Sequence, residues 1–288
     1  MGMGRNCMQR HENYNYQENK DNIKKVEEIT ACLQTKYMGR EIYTYEVTDS
    51  TNIRAKEHFL QGASHGTLIV ADRQTNGKGR RGREWTSPKG DVYMSLLLKP
   101  EFLPEHASMI TLVMAVSLAK SLEQIYEIEA HDLQIKWPND LVLNKKKIAG
   151  ILTEMSADIT SIHYVIIGVG INMKQECFSE ELKGKATSLW LETGVHKTRA
   201  EVIAKILEHF EQDYETFCKT CDMQSLKRDY EKYLVNKDIS VRVLDPKGEY
   251  TGIARGINEK GELLVEKDGT ITPVYSGEVS VRGIYGYV

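Results

Sequence analysis

Residues 77–85 read Gly-Lys-Gly-Arg-Arg-Gly-Arg-Glu-Trp, with Arg73 just upstream. Glycines at such positions let the backbone turn tightly and let a ligand come close to it. The cations between them suit phosphate or carboxylate oxygens, which backbone N–H groups and guanidinium forks bind well. Left empty, so positive a loop would repel itself. It lacks the Gly-Lys-Ser/Thr end of a Walker loop and the spacing of the dinucleotide fingerprint. Taken alone, the segment leaves open a solvated basic loop or a patch that touches nucleic acid.

Other stretches offer matching chemistry. Thr48-Asp49-Ser50-Thr51-Asn52 precedes a helical pattern. One of these residues suffices as a helix cap, so hydroxyls and an amide remain for a neutral polar ligand, with Gln74 near by in the following strand. Lys136-Trp137-Pro138-Asn139-Asp140 and Lys147-Ile148-Ala149-Gly150 flank a hairpin signal at Asn144–Lys146, where Lys145 and Lys146 are expected to be solvated turn residues. Gly168-Val169-Gly170-Ile171-Asn172 again permits close backbone approach. Cys218-Lys219-Thr220-Cys221 is a single C-x-x-C pair at the end of a helical pattern and is read as incidental.

The elements that position these residues are legible in outline. Strands are expected at 41–47, 66–72, 92–98, 148–154 and 163–169, so the basic loop joins two strands and its ends are fixed. Between Lys136 and Asp140 the expectation is a strand followed by a Pro-bounded kink. Residues 106–126, apolar on most sides, predict a buried central helix. A helix also starts near Asn22, and Thr198–Glu201 is a capping box opening an amphipathic helix with Val202, Ile206, Phe210, Tyr214 and Phe217 on one stripe. From Asn236 short strands with glycine turns predict a small β-barrel, which puts a domain boundary near Val235. Residues 1–20, rich in Asn, Gln and charge, are expected to be a disordered tail.

The chain has 288 residues, 41% hydrophobic and 27% charged, as soluble globular proteins do. A net charge of −3 makes the positive charge local, favouring a small anionic ligand over a long nucleic acid. No run reaches the roughly 18 apolar residues of a bilayer span, and no signal-peptide core is present. Five scattered cysteines suit a reducing cytoplasm.

Together, in this order and spacing, the loop at Gly77–Trp85, the Lys136–Asp140 and Lys147–Gly150 motifs and Gly168–Asn172 resemble the biotin protein ligases, also called biotin–[acetyl-CoA-carboxylase] ligases. The resemblance runs from about Ile23 to Arg282. It implies an α+β fold, a mixed-sheet catalytic domain (21–235) followed by an SH3-like barrel (236–288). It also implies a two-step reaction with ATP and Mg²⁺, in which biotin becomes biotinyl-5'-AMP and then acylates a lysine of a carboxyl carrier protein. On that pattern Ser50, Thr51, Asn52 and Gln74 surround biotin, while Lys78, Gly79 and Arg80 lie along its valeryl chain and the adenylate phosphate. Lys147 reaches the carboxylate or the mixed anhydride. Asp140 is the metal or acceptor-lysine candidate, beside Lys136. Arg83, Asn139, Asn172, Glu278 and Arg282 fall to the nucleotide, and Trp85 and Trp137 pack beneath the site. Relatives usually carry Arg where this chain has Lys78, which keeps the charge and loses the bidentate fork.

Some members of the family also repress genes through an N-terminal DNA-binding domain. Only about 40 residues precede the first strand here, so a monofunctional ligase without specific DNA binding is expected. A homodimer stays open. The rival readings are a lipoate or octanoate ligase on the same fold, and a nucleic-acid-binding protein using the basic loop.

Overall fold

A computed structural model describes residues 22, 24–244, 248–276 and 280–283. The proposed tail, Ile23 and Glu278 therefore lie outside the described residues. A helix α1 covers residues 24–32. Seven strands then form one sheet: β1 (Ile42–Thr48), β2 (Thr67–Gln74), β3 (Val92–Leu98), β4 (Leu133–Lys136), β5 (Asp140–Leu143), β6 (Lys146–Ala157) and β7 (Ile162–Ile171). Their order is β1-β2-β3-β7-β6-β5-β4. β1 and β2 run parallel and every other pair is antiparallel, so the sheet is mixed as expected.

Period-two alternation sends each strand's side chains to two different cores. Leu68, Val70, Met94, Leu96, Val165 and Ile167 join the large core under α3 (Ile110–Tyr126) and α5 (Arg199–Phe217). Ile69, Leu97 and Ile166 join Ala55 and Ala63 in a small core under α2 (Thr51–Leu60). β3 is buried along its whole length because both faces are covered. α3 follows a 3-10 turn from Pro104, and residues 104–126 are long and apolar enough to cross a membrane by composition. That exceeds the expectation from the sequence scan. In the fold, 67% of the apolar window is buried inside the protein, as the central helix should be.

The capping box at Thr198 and Glu201 is formed with both bonds. The Lys136–Lys147 region departs from the expected kink. The chain reverses fully at Trp137–Asn139, pairing Lys136 with Asp140, and reverses again at Asn144–Lys145, whose positive φ values (50° and 64°) fit a two-residue hairpin turn. Lys146 is already in β6 and forms an ion pair with Glu192 at 3.1 Å, so it is not merely solvated. After two short helices, α4 (Leu189–Thr193, ahead of α5) and α6 (Lys227–Tyr233), five strands make a second sheet. These are β8 (Ser240–Leu244), β9 (Tyr250–Ile257), β10 (Leu263–Lys267), β11 (Thr270–Val274) and β12 (Ser280–Gly283), ordered β11-β10-β9-β8-β12. The strands of the two sheets divide on either side of Val235. Trp137, buried at 2% exposure, ties them together by donating its indole N–H to Gly261 O at 3.0 Å.

The start of the main sheet is held by Glu41. Burial alone would raise its carboxyl, but bonds from Ser64 N–H, Thr67 and Tyr43 outweigh this and bring it down to about 2. Its contribution is therefore present above the ordinary Glu value near ~4.3 and is lost only as the pH falls through about 2. Glu41→Gln is expected to cost about 1 kcal/mol at pH 7, allowing for solvent screening. Thermal melts at falling pH should show that difference narrowing below about 4.3 and gone near about 2.

Candidate active site

Register places the site before any side chain is considered. Paired residues share a sheet face, so the row Ile69, Ser95, Gly168, Leu152 and the next row Ala71, Tyr93, Gly170, Gly150, Asp140 run across the α2 side of the sheet. The glycines hollow those rows. A Cβ on Gly168 would stand 2.3 Å from Asn52 Oδ1, and one on Gly170 would stand 2.6 Å from the Trp85 indole. Asn52 from α2 and Trp85 from the basic loop thus lean into a trough that only glycine leaves open.

Lys147 reaches the same trough because of a bulge. β5 pairs Leu141 with Ala149 but Val142 with Lys147, so Ile148 is an extra residue. Without it, Lys147 would share the core-facing parity of Ala149 and Ile151. The bulge turns it to the site face, where its Nζ lies 2.7 Å from Asp140 Oδ1 and 5.2 Å from the centre of the Trp85 ring.

The basic loop folds back on itself. Lys78 bridges to Glu84, Gly79 N–H donates to Arg83 O at 2.7 Å, and Trp85 N–H donates to Gly77 O at 2.8 Å. Its tip is a 3-10 turn at Arg80–Gly82 with Arg81 at φ 59°. Arg80 points inward, donating to Asn139 Oδ1 at 2.7 Å and to the carbonyl of Ser276 beyond β11. Asn139 donates in turn to Asp140 Oδ1 at 3.1 Å and to Ile151 O. Burial weighs against the Arg80 guanidinium, lowering its pKa; Asp140 opposes that, and Arg81 and Arg83 add to it. A cation in that setting is well placed to take an anion.

The polar wall beside it is a linked network. Ser50 stands at the N-cap of α2, yet its side chain makes no capping bond. Thr51 donates its N–H to Gln74 Oε1 at 2.8 Å, and Gln74 Nε2 donates to Ser87 Oγ at 3.0 Å. Ser95 Oγ lies 2.7 Å from Thr51 Oγ1 and 2.6 Å from Asn52 Oδ1. Ser87, Ser95 and Glu154, which accepts from Asn52 Nδ2 at 2.7 Å, were not among the sequence candidates. Ser95 had a signal: it is the lone small polar residue in the apolar run Val92–Leu98.

Nine candidates line one cleft of about 480 Å³: Ser50, Thr51, Asn52, Gln74, Lys78, Gly79, Arg80, Asn139 and Lys147. Trp85, Gly150, Gly168 and Gly170 also line it. Asp140 stands behind Lys147. Lys136, Arg83 and Asn172 are set apart from this lining. Lys136 is 6% exposed, and Arg83 projects into solvent. Asn172 donates to Thr187 O at 3.0 Å, holding residues 185–187 alongside Lys147. Arg282 is described by its backbone alone, opposite Arg242 in β8. Trp137 is buried with its indole on Gly261 O, while Trp85 lines the cleft itself rather than packing beneath it, its buried indole N–H without a hydrogen-bond partner among the described residues.

Comparisons with known proteins converge. The Biotin/lipoate A/B protein ligase family matches residues 44–172, and the Biotin protein ligase C terminal domain matches residues 238–282. The Bifunctional ligase/repressor BirA of Bacillus subtilis is 38% identical over 257 residues, 88% of this chain and 78% of that protein. The Biotin--[acetyl-CoA-carboxylase] ligase of Mycobacterium tuberculosis is 29% identical, covering 83% and 88%. Among solved structures, the biotin protein ligase from Aquifex aeolicus in complex with biotin and ATP superimposes with a TM-score of 0.75 at 36% identity. It covers 85% of this chain and 99% of that one.

Proposed function

The chain belongs to the biotin protein ligase family, and from that membership we propose that it activates biotin with ATP and transfers it to a lysine of a biotin carboxyl carrier protein. The observation that carries this reading is one cleft in which a neutral polar wall adjoins two inward-facing cations, Lys147 and Arg80. Biotin offers matching parts, a neutral ureido ring with donors and an acceptor, and a carboxylate at the end of an apolar chain. A carboxylate oxygen attacks the α-phosphorus of ATP, the bond to the β-phosphate breaks, and pyrophosphate leaves. The amine of the carrier lysine then attacks the acyl carbon of the mixed anhydride, AMP leaves, and the amine's proton passes to solvent. Two anions must approach one another in the first step, so Lys147, fixed on the sheet and not needing to reorganise, contributes most there, while Arg80 on the loop holds the product.

In this reading Ser50, Thr51, Asn52 and Gln74 hold the ureido ring. Lys78, Gly79 and Arg80 follow the chain and phosphate, and Lys147 holds the carboxylate. Asn139, Asn172, Arg83, Glu278 and Arg282 remain proposals for the nucleotide, and Lys136 one for catalysis. Among the described residues no group of three or more His, Cys, Asp or Glu could cage a metal. A single carboxylate does fit Mg²⁺, which is usually held by one or two carboxylates plus substrate phosphates. Asp140 would hold it, and the ion would neutralise phosphate charge.

We place the domain boundary near Val235, supported by the division of strands and by the two matched segments. A homodimer stays open, while cytoplasmic location and an absence of specific DNA binding are also proposed. Sedimentation with and without biotin and ATP reads the oligomeric state, and retardation of operator-like DNA would overturn the last.

Native mass spectrometry after incubation with ATP, Mg²⁺ and either biotin, lipoate or octanoate tests the main reading. A bound mass of biotinyl-AMP, and none from the other acids, is expected. A lipoyl or octanoyl adenylate would keep the fold and move the specificity. Gly168→Ala is expected to raise the biotin Kd about tenfold, because the methyl would overpack against Asn52. Calorimetric titration checks this, and unchanged affinity would place biotin elsewhere.

A further inference from the structure

We propose that Glu154, paired with Lys56, is a positioning residue that fixes which way the Asn52 amide faces and so sets the cleft's preference for biotin. This rests on the reading above and adds a residue to it. Glu154 lies on the site face of β6, two and four residues beyond Leu152 and Gly150, and pairs across the sheet with Ile166. α2 packs over that row, which brings Asn52 and Lys56, one helical turn apart, to the same carboxylate.

The geometry leaves the amide one orientation. Asn52 Nδ2 lies 2.7 Å from Glu154 Oε2 and 3.5 Å from Leu152 O. A carboxylate can only accept, so the NH₂ group must face it. Ser95 Oγ, 2.6 Å from Asn52 Oδ1, then gives its one hydrogen to the amide carbonyl. Lys56 Nζ holds the other carboxylate oxygen at 2.9 Å. Burial would raise the Glu154 carboxyl, but the bonds from Asn52 and Lys56 and the nearby charges of Lys56 and Lys78 keep it below the usual range. It therefore stays an acceptor at neutral pH. Without it, Ser95 could equally accept from a rotated amide, and the cleft would offer a donor where it now offers an acceptor. A ureido ring, with fixed N–H and C=O positions, registers that exchange. An aliphatic acid without such a ring does not.

The test is a double-mutant cycle read by biotin binding and steady-state kinetics. Glu154→Leu is expected to raise the Kd and KM for biotin about tenfold or more, as loss of a bond to a charged group does. The KM for ATP and kcat at saturating biotin should stay within about twofold. Glu154→Gln keeps a carbonyl acceptor for the amide and should recover most of the affinity. In an Asn52→Ala background Glu154→Leu should cost nothing further, because residues acting through one contact are not additive. Lys56→Met, at a partly exposed position, carries the same cycle should Glu154→Leu fail to fold. Additive losses, a fall in kcat at unchanged KM, or no recovery with glutamine would overturn the proposal. A wild-type chain that binds no biotin would instead overturn the function on which it rests.

Discussion

Lys147→Met is expected to lower adenylate formation about a thousandfold while leaving the fold intact, the upper end of what one preorganised donor contributes to a charged transition state. The side chain is 24% exposed and sits over the Trp85 ring, so methionine fills much the same volume. What is lost is the positive charge 2.7 Å from Asp140. Two incoming anions then meet one fixed cation fewer, and the loss exceeds that of one hydrogen bond. Lys147→Arg should not restore the rate, since the bulge at Ile148 aims a four-carbon stem and a compact ammonium, and a planar fork needs a different approach. Pyrophosphate release at saturating ATP and biotin measures the step directly. A loss below about tenfold would remove Lys147 from the chemistry.

That prediction depends on a feature the sequence hides. The motif points to Lys147, but parity along β6 alone would send it to the core with Ala149 and Ile151. Only the extra residue Ile148, visible once β5 is paired, turns it round. Local signals served better where one short-range cause decides the structure. The Thr198 capping box, the span of β3 and the span of β9 follow from caps, apolar runs and glycine turns. In the sequence the stretch after Lys136 reads as a kink, because a proline after a strand fits either outcome and only the pairing of Lys136 with Asp140 decides. Ser87 and Glu154 are illegible in the sequence for a different reason. Each belongs to no motif, and each matters through one partner far away in sequence, Gln74 and Asn52 respectively.

Arg80→Gly is expected to leave adenylate formation nearly intact and to speed escape of the adenylate about 10- to 100-fold, the loss of one or two charge-assisted bonds. The argument is positional. Lys147 and Asp140 lie on paired strands of the sheet and keep their geometry without the loop, so the reacting groups remain. Arg80 lies on the loop, and the contacts it makes across the cleft go to Asn139 on one side and the Ser276 carbonyl on the other. Those bonds join the loop to the Trp137–Asn139 turn and to the segment beyond β11, closing the cleft over its contents. Glycine removes both and adds backbone freedom at the start of the 3-10 turn. A loose lid admits water to a mixed anhydride that a closed one shields. Rapid filtration of enzyme loaded with labelled biotin and ATP separates retained from released adenylate. The variant should release it within the dead time of a wild-type decay, and it should label accessible lysines on bystander proteins. Retention equal to wild type would mean that the loop closes without Arg80, and that the bonds to Asn139 and Ser276 merely accompany closure.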